Sequence, residues 1–223
     1  RKYGFHGTSH SYVSKRVAEV MGKPVEELKT VVCHIGQGAS ICAVEGGKSV
    51  DTSMGFTPLG GIPMGTRSGD LDPSVVTYIA KYRNHTPEEM DEILNKKSGV
   101  YGISMVSVDF RDIEAEALAG GKHAKLALDA YHYSIAGYIA KCAVAMGGID
   151  ALTFTAGVGE KSPYSRSEIC KQLGIFGVEI SGKANLVKGE EAEISSPNSK
   201  VKVFVIPTNE ELMIAQETAK LVK

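Results

Sequence analysis

Between Thr30 and Thr52 three short β-branched runs are divided by two glycine turns, and this block limits the possible folds more than any other stretch of the chain. The runs are Val31 to His34, Ser40 to Val44 and Ser49 to Thr52; Gly36-Gln37-Gly38 and Glu45-Gly46-Gly47 separate them. Apolar runs this short, joined by tight glycine turns, pair as an antiparallel meander.

The remainder alternates helices with single strands. Tyr12, Val13, Val17, Val20 and Met21 recur at helical spacing and predict a helix over residues 9–22, capped by Thr8 or Ser9. Asp72-Pro73 opens a helix reaching about Tyr82, and Thr86-Pro87-Glu88-Glu89 is a capping box with proline at the first helical position. A long helix over 123–146 has Leu128, Tyr131, Ile135, Tyr138, Cys142 and Met146 on its apolar face and ends at Gly147. Ala151 to Thr155 reads as a buried strand followed by the glycine loop 156–160, and Ser162-Pro163 starts another helix. Val201 to Ile206 is the last strand and Thr208 to Val222 the last helix, with Thr208 and Glu211 at capping-box spacing. Three hairpin strands, helices, then strand, helix, strand, helix is the order of an α/β, ribonuclease H-like mixed sheet flanked by helices.

Composition removes several classes of function. With 43% hydrophobic and 23% charged residues the chain is ordinary for a globular protein, and 223 residues suffice for a large core. A net charge of -1 supplies no basic field for nucleic acid or anionic lipid, and no apolar run approaches a membrane span. Cys33, Cys42, Cys142 and Cys170 are scattered without a CxxC pair, which suggests reduced thiols in the cytoplasm.

Several motifs invite a chemical reading beside a purely structural one. GFHGTSH (residues 4–10) holds two histidines four apart, but the glutamate of HExxH is absent and Gly7 lies between them, which argues against zinc. GTSHS matches a nucleophile elbow only loosely: the last glycine is missing and no strand precedes it. CHIGQGAS (33–40) runs a strand into a Gly-x-Gly turn whose amides could approach an anion. An ordinary hairpin explains Gly36 and Gly38 equally well, though not His34 beside the turn. It is not a P-loop, because GxxxxGK[ST] is absent. The long loop 51–73 contains one arginine, Arg67, whose fork suits a carboxylate or phosphate unless it pairs with Asp70. Asp109 caps the helix that carries Arg111 in its first turn; TAGVGEK (155–161) follows a buried strand, where α/β sheets bind ligands. Glu210 stands at a helix start as a spare carboxylate for magnesium or for the helix dipole.

Taken in order, GFHGTSH, HIGQGAS, DTSMGFTPL, MGTRSGDLDP, DFRD, FTAGVGE and IPTNEEL closely resemble the acetate kinase (acetokinase) family over essentially the whole chain. The resemblance implies half of a molecule of the acetate and sugar kinase and actin-like ATPase superfamily, with residues 1–223 as its C-terminal, ATPase-type domain and an N-terminal domain absent. It implies transfer of a phosphoryl group from ATP to acetate, with propionate, butyrate or mere nucleotide binding as alternatives. By this resemblance His6 and Arg67 match transition-state stabilisers. His34, Ile35, Gly36, Gln37 and Gly38 match the phosphate turn. Asp109, Phe110 and Arg111 match adenosine-binding positions, as do Gly157, Val158, Gly159, Glu160 and Lys161. Glu210 matches the glutamate at the Mg²⁺ site. Gln37 and Lys161 stand where the family usually has asparagine. A catalytic aspartate, a second substrate arginine and an Asn/Ser segment would lie upstream of Arg1, so this chain by itself is expected to turn over little substrate. A cytoplasmic homodimer is implied for the intact enzyme.

Overall fold

Strand β1 (Lys29–Ile35) is apolar on both faces, the mark of a central strand. Val31, Cys33 and Ile35 turn to one layer of core and Val32 to the other, as the two-residue period of a strand requires. The chain is described over residues 1–222 in a computed structural model, and in it β1 organises everything else. β2 (Ala39–Glu45) returns antiparallel to β1, with His34 opposite Ser40, and β3 (Lys48–Thr52) returns antiparallel to β2. The meander expected from the glycine turns is therefore present.

On its other edge β1 pairs in parallel with β4 (Ala151–Thr155), which pairs in parallel with β6 (Lys202–Val205). A two-residue strand, β5 (Ala192–Glu193), closes that edge antiparallel to β6. The sheet order β3-β2-β1-β4-β6-β5 is the mixed, ribonuclease H-like arrangement read from the pattern; β5 is too short to have left a sequence signal.

Helices cover both faces. Helix α1 (Gly7–Met21) lays Val13 and Val17 against Val32, Phe204 and Ile206. The opposite layer is larger and is built on α6 (Lys122–Met146), whose Leu128, Tyr131, Ile135, Cys142 and Met146 are buried while Tyr138 is only partly so. Gly147 ends α6 in the left-handed conformation, with its N–H and the next residue's donated back to the last turn. Between β3 and α6 lie α2 (Pro73–Arg83), α3 (Pro87–Lys96), α4 (Gly99–Ser104) and α5 (Phe110–Leu118). Asp72, Thr86 and Asp109 cap α2, α3 and α5 through their side chains, and the Thr86–Glu89 capping box is complete. After β4 come α7 (Ala156–Lys161) and α8 (Pro163–Lys171), and α9 (Glu210–Leu221) ends the chain's described structure.

Three local expectations need correction. Helix α1 starts at Gly7, so Thr8 and Ser9 lie inside its first turn; His6 is the N-cap residue, at φ 63° and without a side-chain cap. The residues after β4 form a short helix rather than a glycine loop. The last helix is capped by Asn209, which accepts from the Leu212 N–H, while the Thr208 side chain turns to Ser9 and donates to its hydroxyl.

Ile135 is fully buried where α6 meets the sheet layer. Ile135→Ala should therefore cost roughly 2–5 kcal/mol through lost transfer energy and a residual cavity. Thr86→Ala, which removes only an exposed cap, should cost about 1 kcal/mol. Equilibrium urea unfolding of both variants beside the wild type checks the contrast.

Candidate functional site

Parallel pairing of β1, β4 and β6 brings three carboxyl-end connections side by side. His34 on β1 is level with Thr155 on β4, so the turn 36–38 sits next to the start of α7. A Cβ placed on Gly36 would lie 3.7 Å from Ala156 Cβ and 3.9 Å from the Gly157 amide nitrogen, so the two glycine segments share one surface.

Three histidines converge at this edge. His6 and His34 stack with ring centroids 3.9 Å apart, 15° from parallel, and His10 meets both edge-on. Serine hydroxyls hold them. Ser40 Oγ lies 2.9 Å from His6 Nδ1 and 2.7 Å from His10 Nε2, and Ser9 Oγ lies 2.8 Å from His34 Nδ1. Thr208, past β6, donates its hydroxyl to Ser9 at 2.8 Å, which ties the third connection to the cluster. Burial and then the neighbouring imidazoles hold His10 and His34 down at about 3; burial and then the Arg67 guanidinium lower His6. The three rings pack this closely as neutral imidazoles. His6 keeps a left-handed backbone, which for a residue with a side chain costs on the order of 1–3 kcal/mol and is a mark of functional sites.

Arg67 reaches the same point from the long loop. Buried Met54, Ile62 and Met64 pin that loop to the core, and the Met64 N–H donates to the Arg67 carbonyl across a tight turn. Gly99, at φ 62°, lets α4 back directly onto the Met64 and Arg67 carbonyls. The guanidinium donates to the Pro58 carbonyl at 3.3 Å and has no carboxylate partner among the described residues. The alternative pairing with Asp70 does not occur, since Asp70 accepts from the Gly61 N–H at 2.8 Å and from the Tyr138 hydroxyl. A Cβ at Gly38 would lie 3.4 Å from Arg67 Nη1 and 3.5 Å from His6 Nε2, so both side chains aim at that glycine.

Beside the turn opens a cavity of about 720 Å³. Eight residues expected from the sequence line it: Gly36, Gln37, Asp109, Phe110, Arg111, Gly157, Val158 and Lys161. Glu114, Leu118, Ser162 and Lys188 line it too, and these the sequence reading missed. Arg111 folds back on Asp109, Nη2 to Oδ2 2.5 Å, and with its own N–H holds that carboxyl at about 2. Gln37 Nε2 donates to the Val108 carbonyl at 2.7 Å, linking the turn to the Asp109 segment.

Three other expected residues make contacts within the scaffold. Ile35 is a core side chain, and Gly159 lets α7 pack against Phe154 and the Cys33 carbonyl. Glu160 turns inward, accepting from the Ala156 N–H at 2.7 Å and the Thr208 N–H at 3.3 Å. Arg166 lacked any sequence signal. It is fully buried and donates all five N–H groups: to Asn185 Oδ1 and to the carbonyls of Gly159, Glu160, Asn185 and Val187, at 2.7 to 3.0 Å. It clamps the C-terminal end of α7 to the segment leading to Lys188, two walls of the cavity.

Glu210 is exposed at the first position of α9 and has no hydrogen-bond or ion-pair partner among the described residues. A single free carboxylate fits magnesium, which is commonly held by one or two carboxylates together with phosphate oxygens and water. Among the described residues there is no group of three His, Cys, Asp or Glu placed to enclose a metal, and no helix long and apolar enough to cross a membrane.

Residues 1–216 match the model of the Acetokinase family. The acetate kinase of Dictyoglomus turgidum is 58% identical over 222 residues, covering 100% of this chain and 55% of that protein. The crystal structure of Porphyromonas gingivalis acetate kinase superposes with a TM-score of 0.97 at 46% identity, over 100% of this chain and 56% of the other. A propionate kinase from Francisella tularensis superposes with a TM-score of 0.91 at 43% identity, over 97% of this chain and 55% of the other. The chain thus spans about half the length of the relatives it matches.

The depressed histidines carry a pH signature. Unfolded imidazoles titrate near 6.5, whereas His10 and His34 titrate at about 3 and buried His132 at about 4 when folded. Below 6.5 the unfolded state binds the extra protons, so stability should fall as pH drops from 6.5 toward 3. The slope should approach ~1.4 kcal/mol per pH unit for each histidine. Urea unfolding between pH 7 and pH 5 measures it, and His10→Gln should flatten the curve by one histidine's share.

Proposed function

The chain belongs to the Acetokinase family, and on that premise we propose that it forms the nucleotide-binding half of an enzyme that transfers the γ-phosphoryl group of ATP directly to acetate, giving ADP and acetyl phosphate. The observation that carries this reading is the convergence of Arg67 Nη1 and His6 Nε2 on Gly38, the residue next to the cavity lined by Gly36, Gln37, the Asp109–Arg111 segment and α7. A nucleotide seated with its adenosine between Phe110, Leu118 and Val158 would run its phosphates along the glycine turn toward that point. The remaining catalytic groups belong, in this proposal, to the portion of the relatives that the chain does not span.

The chemistry asks little of the protein beyond placement and charge. The transferred group is metaphosphate-like, with its charge spread over three equatorial oxygens. Arg67 would meet those oxygens with its planar fork, and His6 with a ring N–H, both already in place before charge develops. The Gln37 and Gly38 amides would donate to the phosphate chain, the Gly36 N–H being held within the turn by the Gly38 carbonyl at 3.0 Å. Glu210 would hold magnesium, which when bound neutralises phosphate charge. A carboxylate acceptor is already ionised, so no general base is required. A domain that merely sensed nucleotide would have no use for a carboxylate-free arginine at this point. Propionate is the nearest alternative acceptor, given the Francisella likeness. A cytoplasmic homodimer is part of the same reading, in keeping with four buried free thiols and with α2, which buries no residue within the chain.

In a full-length protein carrying this half, Arg67→Ala should lower kcat for acyl phosphate formation about a hundredfold or more, as loss of a transition-state charge partner does. Arg67→Lys should recover only part, because an ammonium lacks the fork. Hydroxylamine trapping with acetate, propionate and butyrate reads both the effect and the acceptor. Near-normal kcat and KM in Arg67→Ala would overturn the assignment.

A further inference from the structure

Ser40 is fully buried at the foot of the cluster and touches two imidazoles and the Phe5 carbonyl, yet its hydroxyl has one proton to give. That single proton restricts how the cluster can be wired. A neutral imidazole carries one N–H and one lone pair, and the partner of one nitrogen decides which is which. His10 Nδ1 is buried with no partner, whereas His6 Nε2 is unpaired but not sealed. An orphaned buried N–H is costlier than an orphaned lone pair, so His10 carries its proton on Nε2 and donates it to Ser40. Ser40 then gives its own proton either to His6 Nδ1, 2.9 Å away, or to the Phe5 carbonyl, 3.3 Å away. His6 could instead donate through Nδ1 to Ser40, but the buried Ser40 proton would then have only the Phe5 carbonyl, at 3.3 Å beyond the usual O–H···O range of roughly 2.5–3.0 Å, and an unmet buried donor is the costlier outcome.

We propose that Ser40 is a positioning residue: through the chain His10 Nε2–H to Ser40 Oγ–H to His6 Nδ1 it fixes His6 as the Nε2–H tautomer, presenting a neutral donor beside Arg67 and Gly38. The opposite wiring would turn a lone pair toward the point where an anionic oxygen is expected and would repel it. Thr208 and Ser9 repeat the arrangement on His34, since Thr208 donates to Ser9 and leaves the Ser9 proton free for His34 Nδ1. The use made of the His6 N–H rests on the phosphoryl-transfer reading; the tautomer itself does not.

The test is long-range ¹H–¹⁵N correlation on the ¹⁵N-labelled 223-residue chain without substrate, with ring signals assigned through His6→Gln and His10→Gln. The expected wild-type pattern is a pyrrole-like Nε2 and a pyridine-like Nδ1 on both His6 and His10. In Ser40→Ala the two nitrogens of His6 should move to tautomer-averaged positions, while Ser40→Thr, which keeps the hydroxyl, should retain the wild-type pattern. A pyrrole-like Nδ1 on wild-type His6 would overturn the proposal, and it would do so even if Ser40→Ala failed to fold. An unchanged Nε2–H tautomer in a folded Ser40→Ala would overturn it equally, since it would reduce Ser40 to packing. The tautomer is read without turnover, so failure of this proposal and failure of the phosphoryl-transfer reading give separate results.

Discussion

The parallel pairing of β1 with β4 is the constraint on which the rest depends. An antiparallel partner there would have sent its following loop to the opposite end of the sheet. Because His34 is level with Thr155 and Phe154 with Val205, the chain leaves β1, β4 and β6 at one end. Each strand contributes a different part to that end: β1 the glycine turn, β4 the helix α7, and β6 the Thr208 segment. The meander on the other side of β1 brings Ser40 opposite His34, where its hydroxyl meets both His6 and His10. Helix α1 then lays Ser9 and His10 against that layer, with His6 at its N-cap.

Desolvation gives this assembly its chemical character. Three imidazoles within about 6 Å of one another would repel strongly if charged, and burial removes the water that would screen them. The cluster is therefore held neutral by the same packing that holds it rigid. A neutral His6 leaves Arg67 as the one formal charge directed at Gly38, so an incoming anion meets a cation and a dipole rather than two competing cations. Arg166 answers a similar problem differently. It is a buried cation whose charge is met by four carbonyls and one amide oxygen, with no carboxylate partner among the described residues, and it fixes two cavity walls without adding negative charge beside the glycine turn.

The fold was legible in the sequence because its determinants are local. Glycine turns, β-branched runs and caps at Asp72, Thr86 and Asp109 act over a few residues, and each produced the element expected of it. Misreadings arose where distant contacts override local preference. Thr208 has the spacing of a capping box, but Ser9, 199 residues away in sequence, takes its hydroxyl, and Asn209 becomes the cap. The 156–160 stretch reads as a glycine loop, yet Glu160 reaches back to the Ala156 N–H and winds it into helix. Ser40, Arg166 and Lys188 were invisible because their surroundings are assembled only by folding: nothing near Ser40 in the sequence says that two histidines from residues 6–10 will close upon it.

Arg67 shows why local reading stops short of a site even where it finds the right residue. In sequence the nearest carboxylate to Arg67 is Asp70, and an ion pair between them would have made the loop a surface feature worth at most ~1 kcal/mol. In the fold, Asp70 is taken by the Gly61 amide and by Tyr138 from the long helix α6, and the loop is stapled down by Met54, Ile62 and Met64. Those contacts fix the loop and at the same time withdraw the carboxylate nearest in sequence from the guanidinium. What remains is a half-buried arginine held by a carbonyl, directed at a glycine with no side chain to block approach and flanked by a neutral imidazole. A cation with no carboxylate partner among the described residues gains most from an anion delivered from outside, and a planar carboxylate or a phosphoryl group suits its fork.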